Sequence, residues 1–379
     1  MTDRPTDHRH LDFAQFHLDV CFGRAGGKVI WQPRIGAWLT DKDFAGEPYP
    51  EPYTGMTKPE IYRHLGVSDR LYDYNDCYVA VEDERVTHTV RELSTGEHEH
   101  TIETPVGKQV SVSRPNKENV WHTRVKHIIS GPDEMKVAAW RARHTNWRFD
   151  HERFAQHQAA LGDLGAPTAF MPRPNIQDLY INTMGVEQAI YALFDYTDVC
   201  EDYFDALNES HDRLMDVVID SPIHIINFGD NVHAGTLPPD LFEKYLLPEY
   251  QKRSEKLRGG GKFVHAHWDG DVKPLLPYAR DTGLNGIEAI TPVPQGDVTL
   301  EETKAALGDE MFLLDGIPAI YFDETYPEQT LIDCAKRVID LFAPNLVLGI
   351  SEEISSHGEI ERIRLVTEVV DDYNAGLTS

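Results

Sequence analysis

From residue 165 onward this chain alternates between two kinds of segment. Short apolar runs with β-branched residues lie at 166-APTAFMP-172, 222-PIHIINFGD-230, 261-GKFVHAHWD-269, 286-GIEAIT-291, 311-MFLLDG-316 and 345-NLVLGIS-351. Helical segments separate them, at 186–195, 239–258, 272–283, 299–308, 328–342 and 358–373. Alternating β and α units imply a parallel sheet, because parallel neighbours need a crossover and a helix supplies it. With an earlier strand in 27-GKVIWQPRIG-36, the units predict a closed (β/α)8 barrel of the TIM type rather than an open sheet. No GxGxxG follows any of these runs, which argues against a dinucleotide-binding fold. Residues 85–115 break the pattern. They alternate, are rich in Thr and Val, and carry turn signals at STGE and PVGK, so a β-hairpin or small meander is expected there. It reads as an excursion from a single barrel domain spanning 1–379.

The bulk numbers exclude several partners. Lys and Arg total 36 against 63 Asp and Glu, a formal charge of −27. Such a surface repels nucleic acid and anionic lipid, because phosphate binding needs clustered cations. Cys21, Cys77, Cys200 and Cys334 are scattered with no CxxC, so neither a disulfide framework nor a cysteine-only zinc site is indicated. The polar start MTDRPTDHRHLDF lacks the apolar core of a signal peptide, and no run of about 20 apolar residues is present. The expectation is a soluble cytoplasmic protein acting on a small molecule; a homodimer is compatible with the sequence.

In a barrel, chemistry gathers at the C-terminal ends of the strands. There the sequence places Gly229, Asp230, Asn231 and His233 after one run, His267, Asp269 and Gly270 after another, Glu288 within a third, Asp315 ending a fourth, and Glu352 and Glu353 after the last. Each has an ordinary counterpart. A lone strand histidine is more often core than ligand, and Asp271 and Asp297 read as helix caps. Glu288 is harder to explain that way, since a carboxylate inside an apolar strand needs a partner charge or a metal. His265 and His267 share a parity and so face one side of their strand. His267, nearer the strand end, is the better ligand; His265 belongs behind it or in the core. Trp31, Trp38, Tyr180 and Tyr321 are candidates for an aromatic pocket wall, with barrel packing as the equal alternative. The His-rich 97-EHEH-100 reads as a solvated strand edge.

Several stretches in order resemble the uroporphyrinogen decarboxylase superfamily: 228-FGDNV-232 with 238-PPDLFEKYLLPEY-250, 261-GKFVHAHWDG-270, 286-GIEAITPVPQGDVTLEET-303 and 349-GISEEI-354, with 30-IWQPRIGAW-38 and 103-ETPVG-107 in keeping. The resemblance implies a (β/α)8 barrel and a position nearer the family's metal-dependent methyltransferases and demethylases than its decarboxylases. Those methyltransferases hold zinc through His-x-Cys-Gly at a strand end and a second Cys after the last strand. In 267-HWDG-270, His267 matches the His and Asp269 stands where the Cys would be; Glu352 stands where the second Cys is expected. Such a site is harder than a thiolate one and suits zinc, manganese or iron. By analogy with relatives that use His with Glu ligands, the leading ligand set is His267, Glu288 and Glu352, with Asp269 behind it or as a substitute.

The activity implied is methyl transfer, in one form O-demethylation of a small methoxylated compound, with zinc or another divalent transition metal as Lewis acid. The acceptor is a corrinoid protein, a thiol or a folate from outside, as no cobalamin-binding segment is evident. Asp230 or Tyr180 is expected to protonate the leaving group, and Arg34, His233, Asp315 and Trp38 to touch substrate. Two alternatives stand beside it. One is cofactor-independent decarboxylation, for which 33-PRIGAW-38 with its lone Arg34 offers a thin cradle for a polycarboxylate. The other is a non-catalytic binding protein on a degenerate barrel.

Overall fold

The computed structural model describes residues 11–116 and 121–377. In chain order its strands are β1 (Ile30–Gln32), β2 (Tyr78–Val81), β3 (Thr87–Glu92), β4 (His98–Thr104), β5 (Gly107–Pro115), β6 (His122–Lys126), β7 (Asn146–Phe149), β8 (Thr168–Phe170), β9 (Ile225–Asn227), β10 (Phe263–His267), β11 (Gly286–Glu288), β12 (Phe312–Ile317) and β13 (Leu346–Ile350). Seven of them form one parallel sheet in the order β1-β13-β12-β11-β10-β9-β8. Every residue of β9, β11, β12 and β13 is buried, which is why these segments read as continuous apolar runs rather than alternating ones.

The ring is completed by a segment too irregular to register as a strand. Ser68 N donates to Trp31 O at 3.0 Å on one side, and Thr168 N donates to Leu71 O at 3.1 Å on the other, beside a parallel bridge from Leu71 to Pro167. Residues 68–71 thus occupy the eighth position between β1 and β8, and the expected TIM-type barrel results. The helix Phe13–Cys21, capped by Asp12, closes the N-terminal end. Its Phe13, Val20 and Cys21 pack on Ile30, Ile225, Phe263, Phe312 and Val347. The opposite, C-terminal end stays free for chemistry.

Between the eighth position and β8 the chain makes its excursion. β2 and β7 pair antiparallel as a stem, and β3–β6 form a four-stranded antiparallel meander ending at Lys126, longer than the 85–115 expected. The turns after β3 and β4 fall in STGE and PVGK, as the sequence indicated. The 97-EHEH-100 piece lies largely on β4, between β3 and β5, so it is an inner strand and not an edge. The 24-residue helix Thr197–Asp220, absent from the sequence reading, buries Cys200, Tyr203, Phe204, Leu214, Met215 and Val218 at helical spacing. The expected helix 239–258 is interrupted by a π turn at Phe242–Leu246, and 272–283 contributes only the 3-10 turn Leu276–Thr282. Among the described residues no helix is long and apolar enough to cross a membrane.

Candidate active site

Polar side chains inside the barrel gather around one carboxylate. Glu288 is 2% exposed and lies opposite His267 in the β10–β11 register. Its Oε1 is 3.3 Å from His267 Nδ1 and 3.1 Å from Arg70 Nη1. Its Oε2 accepts from Asn227 Nδ2 at 2.6 Å and Tyr72 Oη at 3.1 Å, and lies 3.1 Å from His265 Nδ1 in a poorly aligned approach. Burial opposes the charge, but Arg70 and the two histidines outweigh it and hold the carboxyl well below its usual range. Glu288 is therefore a buried anion that is already coordinated by protein groups.

Arg70 also grips Asp315, with Nη2 to Oδ1 at 2.7 Å and Nη1 to Oδ2 at 3.3 Å. Arg34 adds longer contacts, 3.8 Å to Glu288 and 4.0 Å to Asp315. Asp315 is fully buried, and burial pushes its carboxyl up despite Arg70. Two non-glycine residues with left-handed backbone adjoin these acids: Asp315 itself at φ 85 and Ala289 at φ 68. Such conformations persist where the surroundings over-determine them, and they cluster at functional sites. Gly349 on β13 lies under Asp315, and a Cβ there would fall 2.1 Å from Asp315 Oδ1 and 3.0 Å from Gln32 O. Gly349→Ala is expected to displace the carboxylate from Arg70 and cost about 1–3 kcal/mol in urea denaturation; a neutral result would contradict this packing.

Above this buried layer a cavity of about 440 Å³ opens at the C-terminal end of the barrel. Its walls include Arg34, Arg70, Tyr72, Asp230, His267 and Glu352. His267, Asp269 and Glu352 bring ligand atoms within 4.8 Å of one another. His267 presents Nε2 to this group, 4.0 Å from Asp269 Oδ2, while Nδ1 faces Glu288. Burial opposes a charge on His267, but the facing Glu288 carboxylate prevails and raises its pKa. Burial also raises Glu352. Asp269 Oδ1 is buried without a partner. A metal ion fits this set: the Asp269 carboxylate is not fully satisfied by protein partners, and one imidazole with two carboxylates is a competent donor group. Glu353, next in sequence, also lines the cavity but is not one of the three; its Oε2 accepts from Ala37 N at 3.1 Å, near the N-terminus of the helix Gly36–Ala45.

The sequence-named residues thus separate into groups. Asp230, Arg34 and Glu288 line the cavity with the three converging donors, and Glu288 faces His267 Nδ1 rather than joining them. Asp315 lies in the buried layer. Tyr180 is buried outside the cavity wall with its hydroxyl unpartnered, and His233 Nε2 lies 3.1 Å from Thr236 Oγ1. Trp38 donates Nε1 to Gly358 O at 3.1 Å within the core, where Trp31 also lies. Tyr321 packs on Tyr326. The cavity's aromatic residues are instead Tyr62, Tyr72 and Phe170. His265 is 1% exposed behind His267, with its pKa lowered by burial. Sequence reasoning missed Arg70, Tyr72 and Arg173. A signal for the first two exists: 68-SDRLY-72 follows a helix stopped by Gly66 at φ 72, as a barrel strand would.

Asp230 is fully buried, accepts from Tyr250 Oη at 2.7 Å, and leaves Oδ1 unpartnered. Burial raises its carboxyl to about 6 against the pull of that hydrogen bond. An acid whose folded pKa exceeds its unfolded one carries no penalty below the unfolded value, a growing penalty between the two, and the full penalty above the folded one. Relative to Asp230→Asn, the wild type is expected to lose about 2–3 kcal/mol between about pH 4 and pH 7. Urea denaturation of both chelator-treated proteins measures this, and a gap that ignores pH would sink it.

The family description "Uroporphyrinogen decarboxylase (URO-D)" matches residues 179–373, just over half of the chain. The chain belongs to the uroporphyrinogen decarboxylase family. Among solved structures, a methyltransferase from Methanosarcina mazei is similar in fold at a TM-score of 0.57 and 15% identity, over 94% of this chain and 97% of that one. The GH18 chitinase ChiB of Flavobacterium johnsoniae aligns at a TM-score of 0.36 and 10% identity, over 60% of this chain and 82% of that one. No curated protein matches the sequence. For this member of the uroporphyrinogen decarboxylase family, the matched span carries Asp230, His267, Glu288, Asp315 and Glu352, whereas Arg34, Arg70 and Tyr72 come from outside it.

Proposed function

We propose that this protein is a metal-dependent methyltransferase. In this reading it moves a methyl group from a small methylated or methoxylated substrate to a corrinoid, thiol or folate acceptor supplied from outside. The observation that carries it is the convergence of His267, Asp269 and Glu352 on one wall of the cavity, with Asp269 Oδ1 left without a partner. Those three residues would hold the metal, zinc or another divalent transition ion. When bound, it supplies Lewis-acid stabilisation of the departing oxygen, or of a thiolate.

The chain's own groups do the remaining work. Glu288 fixes the ring of His267 through Nδ1, leaving Nε2 to the site, and Arg70 holds Glu288 in place. Asp230, protonated at mildly acidic pH and fixed at Oδ2 by Tyr250, offers Oδ1 to the leaving oxygen as a proton donor. Decarboxylation of a polycarboxylate is less well supported, because the cavity wall itself carries Asp69, Asp230, Asp269, Glu288, Glu352 and Glu353.

Elemental analysis of the purified protein should find about one transition metal per chain. Methyl release from methoxylated or S-methylated probes, supplied with a corrinoid, a thiol or tetrahydrofolate, should stop on chelation and return with zinc. A metal-free protein that retains the activity would overturn the reading.

A further inference from the structure

Four cations line the cavity, and three are already paired. Arg70 is committed to Asp315 and Glu288, Arg34 approaches Glu288, Asp315 and Glu353, and Lys58 Nζ lies 3.0 Å from Asp69 Oδ2. Arg173 differs. Among the described residues its hydrogen bonds go to amide oxygens and it makes no salt bridge within 4.0 Å. Its guanidinium hydrogen-bonds only neutral oxygens, and at long range, Nη1 to Asn182 Oδ1 at 3.3 Å and Nη2 to Asn231 Oδ1 at 3.5 Å; Nε is buried without a partner, and the buried carboxyls of Asp178 and Asp230 feel its charge only from beyond salt-bridge distance. A guanidinium has five N–H donors in a planar fork, so most of this one's capacity is unused. It follows β8, beside Asn231 past the end of β9, at the strand ends where substrates of barrel enzymes bind.

We infer that Arg173, with the neighbouring Asn231, is a recognition subsite for a carboxylate on the substrate. Charge supports an anion here only under the methyltransferase reading, on which this inference rests. Without a metal the six wall carboxylates outnumber the four cations. A divalent ion at His267, Asp269 and Glu352 restores the balance, and the guanidinium, which makes no direct salt bridge, then attracts a single negative group. Phe170, stacked on Tyr72 at 3.9 Å and 37% exposed, offers a face for the apolar body of the ligand. The substrate class is a small methylated monocarboxylate, its carboxylate at Arg173 and its methyl-bearing atom toward the three converging donors.

The test uses the metal-loaded full chain and matched neutral analogues: meta-methoxybenzoate with meta-methoxybenzamide, and methoxyacetate with methoxyacetamide. Calorimetry should show at least one acid binding about tenfold or more tightly than its amide, as expected for a charge-assisted bidentate contact. Arg173→Met should bring that pair to within about twofold while leaving metal content unchanged, and Arg173→Lys should restore part of the preference. Acids that bind no better than amides, no binding by any of the four, or a preference that survives in Arg173→Met would each overturn the subsite. The two readings fail separately. An Arg173-dependent preference without methyl release from any probe keeps the subsite and counts against methyl transfer. Equal methyl release from acid and amide, unchanged in Arg173→Met, overturns the subsite alone.

Discussion

Arg70→Met is expected to destabilise the barrel by about 3–5 kcal/mol, because it strands two buried carboxylates without their cation. Arg70 is 6% exposed, and its partners Asp315 and Glu288 are 0% and 2% exposed. Asp315 has no exposed surface and Glu288 almost none, and Arg34 stands too far from both to replace the lost contacts. Folded domains hold only about 5–15 kcal/mol in total, so the loss is a large fraction of that margin. The double replacement Arg70→Met with Asp315→Leu should recover part of it, since one stranded charge goes with its partner. Chemical denaturation of the three proteins measures the cycle. A single variant within about 1 kcal/mol of wild type would mean that Arg70 does not compensate these acids.

Asp269→Asn and His267→Ala are expected to abolish metal binding while leaving the far-ultraviolet circular dichroism unchanged. Both side chains sit at the cavity, 24% and 13% exposed, so removing them opens no sealed core. Glu288→Gln should behave differently. It leaves the three converging donors in place and so should weaken metal affinity by about 10–100-fold. It should also lower stability, because a neutral amide cannot match Arg70, His265 and His267. Elemental analysis after dialysis, run beside denaturation, separates the two patterns. If Glu288→Gln loses the metal completely and Asp269→Asn keeps it, Glu288 is a ligand and the assignment above must be exchanged.

The same contrast separates what residue order specifies from what it leaves open. The apolar runs of the second half predict β8–β13 because both faces of a barrel strand are covered, and burial on both faces leaves a mark in composition. Strand ends follow from the same runs, so Asp230, His267, Glu288, Asp315 and Glu352 were all visible as candidates. What each carboxylate touches was not visible. Glu288 and Asp269 differ in surroundings because Arg70, from a segment with almost no strand signature, reaches across the barrel to bind one and not the other. Local patterns record which residues are buried together along one element. Pairings between elements more than 200 residues apart, such as Arg70 with Asp315, exist only once the ring has closed. So the amino-acid order determined the barrel and the strand ends at which its polar residues gather, and tertiary structure alone decided which acids are neutralised by arginine and which converge with His267 at the cavity.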